Sequence, residues 1–588
     1  MASRNFFAGF STSVPTTRAR VIDTGLIPFS VGGTRVLAIV GVSTGGQPKT
    51  PLRFATPTDA ERVLRGGDLL KAVELAFNPS SDVRGVAEVT AVRVNVATQA
   101  SAILKQTGGI INAVTLTSVN YGTLDNQIKV KVDAATLPKT YNAASHGLKI
   151  TVSLGDDLWI IDNILKASFS IRYVGAGSAA TMTLNGTTLA TTVTGGPGSE
   201  NLSVDLSVYK TVQELVAFLD TLAAYEATVL TTSPSDPTAN ALDHETAVDI
   251  KTAAWTVTAD LQAVVNALNS GQQPYITAAR HANGTKPPMA VPYTYLAGGS
   301  EGGAITNQDW DDAFTTLETE EAWAVVPLTD TAAIHAIAMD HCSAVSRDGR
   351  QPRRAFVGAA LGEYSTDLAA YITRATALNS DRVGLLAQGI KGFDSAGALI
   401  TYAPYFTAVL TAGIFSGLAT IGESATRKTL SVPGAEWMAT RSEMEVMIQA
   451  GIIPIEFVVT QGFFRVARAV STWRRNDAYH RVEISTGIAI DEVMRSCIEA
   501  LDVFIGEKAS PVTAQRIASR TKSVLKELDR QGVIIGTRDN PSFSNPVCTL
   551  TGDAAEVSFD CAPVVPLNWI NVTISGRIFT GEFVATAA

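Results

Sequence analysis

Between residues 310 and 387 helical periods and short apolar runs alternate without a gap. Helical spacing covers 310–321, 331–345 and 367–377, and apolar runs fill 323–328, 355–360 and 383–387. Parallel strands cannot be joined by tight turns, so a chain that alternates in this way builds a largely parallel sheet whose connections are helices. A second unit of the same kind stands near the N-terminus: an apolar run at 35–40, a Gly/Pro loop at 41–51, a helical period over 59–77 broken at Gly66-Gly67, and a strand-like run at 88–96. The expectation is one α/β layer assembled from two separated stretches.

What lies between and after them has a different texture. From about 107 the residues are Thr, Ala, Gly and Asn with few charges, and period-two alternation predicts strands at 128–132, 148–154, 169–174 and 181–184, with a helix near 211–222. A region of two subdomains fits this length. Beyond Pro433, helical periods at 441–449, 488–505 and 513–531 are separated by short strands. Residues 567–584 return to strand character. The first 25 residues carry Phe6, Phe7 and Phe10 without a clear period and read as an extended arm. The expected class is therefore α+β and multidomain: an arm at 1–25, α/β core at 26–106 and 296–432, a β-rich insertion at 107–295, a C-terminal domain at 433–566 and an arm strand at 567–588.

Composition narrows the function. Only 17% of the 588 residues are charged while 46% are hydrophobic, which opposes disorder. A net charge of -9 opposes general nucleic-acid binding. No charge occurs between Asp394 and Glu423, and this stretch imitates a membrane span. Threonines and glycines dilute it, however, and globular sequence surrounds it, so a helix buried in a core or an interface is expected and membrane insertion is not. Apolar surface that is not in lipid must be covered by protein, and that suggests assembly. Four scattered cysteines indicate reduced thiols, and the N-terminus lacks the apolar run of an export signal.

Catalytic motifs are weak. Gly41-Val-Ser-Thr-Gly45 matches G-x-S-x-G, so a serine hydrolase using Ser43 is the alternative function, but the prolines that follow do not start the helix a nucleophile elbow requires. The same loop misses a phosphate-binding spacing. His335 and His341 point to different sides of one helix, and Asp156-Asp157, Asp311-Asp312 and Glu320-Glu321 fit turns and helix ends; no metal or cofactor is expected. Positive charge is the sharper signal. In 513–531 a stripe of Ile517, Thr521, Val524, Leu525 and Leu528 is flanked by Arg516, Arg520, Lys522, Lys526 and Arg530, and upstream Arg465, Arg468, Arg474, Arg475 and Arg481 surround Trp473. Two readings stay open for these faces, solvated helix surface and a dock for an acidic protein.

Taken in order, several segments resemble the contractile-tail sheath proteins of bacteriophages: Val36-Leu-Ala-Ile-Val-Gly-Val-Ser-Thr-Gly-Gly, Leu296-Ala-Gly-Gly-Ser-Glu-Gly leading to Trp310-Asp-Asp-Ala-Phe, Ala324-Val-Val-Pro327, the uncharged 404–422, Gly451-Ile-Ile-Pro and Gly462-Phe-Phe-Arg-Val. The resemblance implies a subtilisin-like, non-catalytic α/β core and a subunit that polymerises as hexameric rings stacked helically around an inner tail tube. It implies contraction that drives the tube through the host envelope for genome delivery, with the tube protein, baseplate and tail terminator or neck proteins as partners and neither nucleic acid nor membrane. Such a protein is assembled in the host cytoplasm and resides in the virion. Arms that add strands to a neighbour's sheet would use Phe6, Phe7, Phe10, Trp569, Ile570, Val572, Ile574 and Ile578. The tube would face Arg474, Arg475, Arg516, Arg520, Lys522, Lys526 and Arg530.

Overall fold

The computed structural model describes residues 35–106, 108–142, 146–196, 200–347, 351–394 and 396–576, together with the backbone of the strands Asn5–Phe7 and Phe10–Thr12. Its centre is a seven-stranded sheet. The order is Ile452–Ile453, Val383–Leu386, Arg354–Gly358, Ala324–Pro327, Leu37–Gly41, Val89–Arg93 and Pro51–Phe54, parallel throughout except for the last pair. The two separated stretches thus meet where Leu37–Gly41 runs in register with Ala324–Pro327, Leu37 beside Ala324 and Val40 beside Pro327. Leu37, Ile39, Ala324, Val326 and Phe356 face one core, and Ala38, Val40, Val325, Ala355 and Val357 face another. Burial on both faces explains why these strands read as unbroken apolar runs.

Helices cover each face. On one side lie Asp68–Phe77 and Pro404–Gly417; on the other lie Asn307–Thr316, Ala332–Arg347, Ala369–Leu378 and Arg441–Ala450. The helix Pro404–Gly417 is the uncharged stretch of the sequence, and eleven of its 14 residues are buried. Its threonines are compatible with that position because Thr407 donates to Gln388 O (2.7 Å) and Thr411 to Thr407 O (2.9 Å). Among the described residues no helix is long and apolar enough to cross a membrane. A Cβ at Gly417 would lie 1.6 Å from Arg84 O, so the helix approaches the neighbouring backbone more closely than any side chain permits.

The break at Gly66-Gly67 falls where expected. The helix Pro57–Leu64 ends on Arg65 in the left-handed region (φ 61), and Gly67 (φ 89) turns the chain against Ser43 to begin Asp68–Phe77.

The strand-rich region holds two cores, one nested inside the other. The outer sequence segments form the sheets Ile276–Arg280/Asn112–Ser118/Ser101–Lys105 and Asp157–Ile164/His146–Leu154/Lys129–Pro138/Val291–Tyr295, which bury Leu116, Val130 and Val152 against Leu261 and Val264. Between them in sequence, strands from Ala167–Tyr173 to Trp255–Thr258 enclose the helix Val212–Asp220 around Ile171, Leu189 and Leu215. One helix here, Asp260–Leu268, was not anticipated. Its cap is distant: Asp243 Oδ2 accepts from Asp260 N (2.7 Å) and Oδ1 from Leu261 N (3.1 Å).

Toward the C-terminus a small sheet (Thr429–Leu430, Phe463–Val466, Ile455–Val458) precedes the paired helices Ile484–Leu501 and Pro511–Arg530. The expected stripe Ile517, Thr521, Val524, Leu525, Leu528 is buried. Asp491 ties the first of these helices to the sheet, accepting from Arg354 (2.8 Å) and Arg382 (2.7 Å).

Candidate functional site

Ser43 is buried, its Oγ donating to Gly45 O (2.7 Å), and no helix follows the loop until Pro57. A nucleophile needs an exposed oxygen and a base within reach; this hydroxyl closes a turn. His335 Nε2 donates to Thr329 O (2.9 Å), and burial pushes its imidazole down to about 4. His341 accepts from Arg353 Nη1 (2.8 Å), and burial followed by the guanidinium pushes it down to about 3. Both rings are neutral packing elements. Among the described residues no group of three or more His, Cys, Asp or Glu could hold a metal ion. Members of the carboxylate pairs are tied to distant side chains: Asp312 accepts from Lys49 (2.7 Å), which also reaches Asp309 (2.9 Å) and draws it down to about 2, Glu320 pairs with Arg53 (2.6 Å), and Asp157 accepts from the Tyr275 hydroxyl.

Surfaces remain. At the N-terminus the strands Asn5–Phe7 and Phe10–Thr12 pair antiparallel, with Phe7 opposite Phe10 and Phe6 opposite Ser11, and join no other described strand. At the other end, 567–576 forms no ladder. Trp569, Ile570, Val572 and Ile574 are 68%, 76%, 74% and 87% exposed, and Ile578 lies outside the described residues. Four apolar side chains so exposed, of which Trp569 has the Arg468 guanidinium over its ring, are poorly explained in a solitary molecule. Close by in sequence, Val547–Thr551 and Ala554–Ser558 form a hairpin that no third strand joins among the described residues, its register running from Val547 opposite Ser558 to Thr551 opposite Ala554. The hairpin packs on the helix Pro511–Arg530, and a two-stranded sheet leaves both of its edges available for pairing.

The basic residues separate into kinds that the sequence could not distinguish. Arg474 is turned inward. Its Nη2 donates to Ile448 O (2.9 Å) and its Nη1 to Trp473 O (2.6 Å), closing the C-terminal end of Arg441–Ala450, and burial lowers its pKa. Arg475 is exposed and stacks with Arg481 on Trp473, at 5.1 and 4.5 Å. On Pro511–Arg530, Arg516 pairs with Glu507 (2.6 Å) and lies over Phe504, Lys522 reaches Asn545 (2.8 Å), and Arg530 pairs with Glu527, whose carboxyl falls to about 2. Arg520 is half-buried and Lys526 exposed on the same helix. That face stays positive, but most of its charges already have a neighbour. Sequence reasoning overlooked Glu483, which is wholly buried against Arg468; a separation of fifteen positions leaves no local signal for the pair.

No family model matches the chain. Whole-length relatives do. The tail sheath protein named from Enterococcus phage phiEF24C is 31% identical over 580 residues, 96% of each chain. The tail sheath protein of Bacillus phage SP01 is 27% identical, covering 97% of this chain and 96% of the relative. Among solved structures, a sheath tail protein from Listeria innocua superposes with a TM-score of 0.56 at 13% identity, covering 91% of this chain and 92% of that one, so the multidomain α+β fold is shared.

Proposed function

The chain belongs to the tail sheath proteins of bacteriophages, structural subunits of the virion tail, and from that premise we propose that its copies polymerise as hexameric rings stacked helically around an inner tube. The observation that carries the reading is the end-to-end match: 31% identity over 96% of both chains leaves no large part of this one without a counterpart in a sheath protein. We read the parallel sheet and its helices as a subtilisin-like layer without protease chemistry, the strand-rich 107–295 as outer domains, 433–566 as the C-terminal core, and the two ends as arms.

Arm exchange is supported by two complementary features. Residues 567–576 offer exposed apolar side chains in backbone that belongs to no strand, and the hairpin Val547–Ser558 has no third strand among the described residues. Strand addition between copies would satisfy both, main-chain bonds giving affinity and alternating side chains giving register. The basic face of Pro511–Arg530 suits the tube. Exposed ion pairs contribute about 0–1 kcal/mol each and weaken with salt, so an interface made of them releases easily. Contraction then needs no hydrolysis: the assembled extended lattice holds contacts unmade, and their formation drives the tube through the host envelope. Baseplate and tail terminator proteins bound the two ends of the lattice. Negative-stain microscopy of the purified protein tests this. Tubes or rings of uniform diameter are expected, and a monomer under every condition, with or without tube protein, overturns the reading.

A further inference from the structure

The described C-terminal segment is held at a few points before it becomes free. Pro563 bridges to Ile534, and Val564 donates its N–H to Val533 O (3.0 Å) and packs beside the helix pair. Beyond that, Asn568 and Trp569 make the last contacts. Asn568 Nδ2 lies 3.0 Å from the Tyr479 hydroxyl, and the Arg468 guanidinium sits over the Trp569 ring at 5.1 Å. Arg468 is itself fixed, donating through Nε (3.3 Å) and Nη2 (3.1 Å) to Glu483 Oε2.

Two buried oxygens in this cluster have no donor, Glu483 Oε1 and Asn568 Oδ1. Buried acceptors are rarely left so, because each loses its hydration without replacement. There are two ways to satisfy them, and each joins the same two side chains. With the Asn568 amide turned by half a revolution, Nδ2 donates to Glu483 Oε1 while Oδ1 accepts the Tyr479 O–H. With a proton on Glu483, its Oε1–H donates to Asn568 Oδ1. Burial raises the Glu483 carboxyl, opposed by Arg468 and by the bond to Asn568, and Arg468 and Tyr479 are the charged and titratable groups that act on it.

We propose that Arg468, Tyr479 and Glu483 form a clasp that grips Asn568 and Trp569 and fixes the point and direction from which the C-terminal segment leaves the subunit. Tyr479 opens the short helix Tyr479–Val482, and Glu483 closes it and leads directly into Ile484–Leu501, so tension on the segment is delivered to a long packed helix rather than to a swivelling loop. The clasp belongs to the isolated subunit; only its use in assembly rests on reading the segment as an arm.

Chymotrypsin tests it on the full-length monomeric protein. Cleavage after Leu567 and Trp569 is compared with cleavage of a free peptide of the same sequence, so that substitutions near the bond are corrected for. Arg468→Ala and Asn568→Ala should each speed cleavage roughly tenfold, as expected for loss of a stacked cation or a buried hydrogen bond. Asn568 lies at the surface end of the segment, so its variant does not put folding at stake. Unchanged rates in both variants overturn the clasp. Faster cleavage with normal polymerisation would support the clasp and count against arm exchange.

Discussion

His341→Gln offers the sharpest test of the α/β layer. His341 accepts from Arg353, a buried guanidinium with no carboxylate partner among the described residues, satisfied by Ala322 O (3.1 Å), Leu317 O (2.9 Å) and Glu320 O (2.7 Å) after the helix Asn307–Thr316. Burial disfavours the charged ring, and protonation would also remove that acceptor and set two cations side by side, so the folded imidazole is pushed down to about 3 from an ordinary 6.5. A base with a depressed folded pKa contributes stability that is intact above its unfolded value and is lost as pH falls from there toward the folded value. Between pH 7 and 4.5 the unfolded ring gains its proton while the folded ring does not, and at 1.36 kcal/mol per unit the layer loses about 2.5 kcal/mol. His335 loses stability in the same window, and the raised Glu483 and Asp243 carboxyls gain it, so the total pH dependence is no guide. The difference between wild type and His341→Gln isolates one ring, since glutamine offers Arg353 an acceptor that does not titrate. Urea titrations at both pH values, read by pulsed hydrogen exchange in peptides spanning 324–327 and 354–358, should show the variant gaining about 2.5 kcal/mol on wild type at the lower pH. A constant gap between the two proteins would refute the assignment.

Removing 567–588 should abolish polymer and leave circular dichroism and thermal unfolding of the subunit nearly unchanged; normal polymers from the truncated chain would count against arm exchange. Charge reversal at Arg516, Arg520 and Lys526 should weaken tube-templated assembly more than tube-free polymerisation, and equal effects would move that face away from the tube. Gly417→Val places carbon where Arg84 O already sits 1.6 Å from a Cβ, so a soluble, wild-type-like melting curve would contradict the packing of Pro404–Gly417. Asp491→Ala strands Arg354 and Arg382 beside the sheet and should cost about 3–5 kcal/mol, measured by the same urea titrations.

The sequence was most legible where burial follows a local period. Runs such as 323–328 and 355–360 mark strands because both faces of a parallel sheet are dry, and the stripe of 513–531 marks a helix because one side of it is. The uncharged 404–422 was interpretable for a related reason: threonines that spoil a membrane span can bond backwards within a protein core. Edge strands were hidden. Pro51–Phe54 looks like a continuation of a proline loop, and Ile452–Ile453 is two residues long, defined only by Leu385 and Leu386 beside it. The basic residues were legible as a group and illegible one by one, since Arg474 and Arg475 are adjacent and yet one caps a helix while the other covers a tryptophan.

By itself, then, the sequence determined the alternating α/β layer, the strand-rich insertion, the burial of the uncharged helix and the resemblance to sheath proteins, because periodicity and order along the chain are local properties. Tertiary structure alone decided which charge meets which: Asp243 capping a helix 17 residues away, Asp491 joining two arginines more than a hundred residues upstream, and Glu483 holding Arg468 over Trp569. A charge has no period, and its role follows from the dielectric and the partners that folding brings to it.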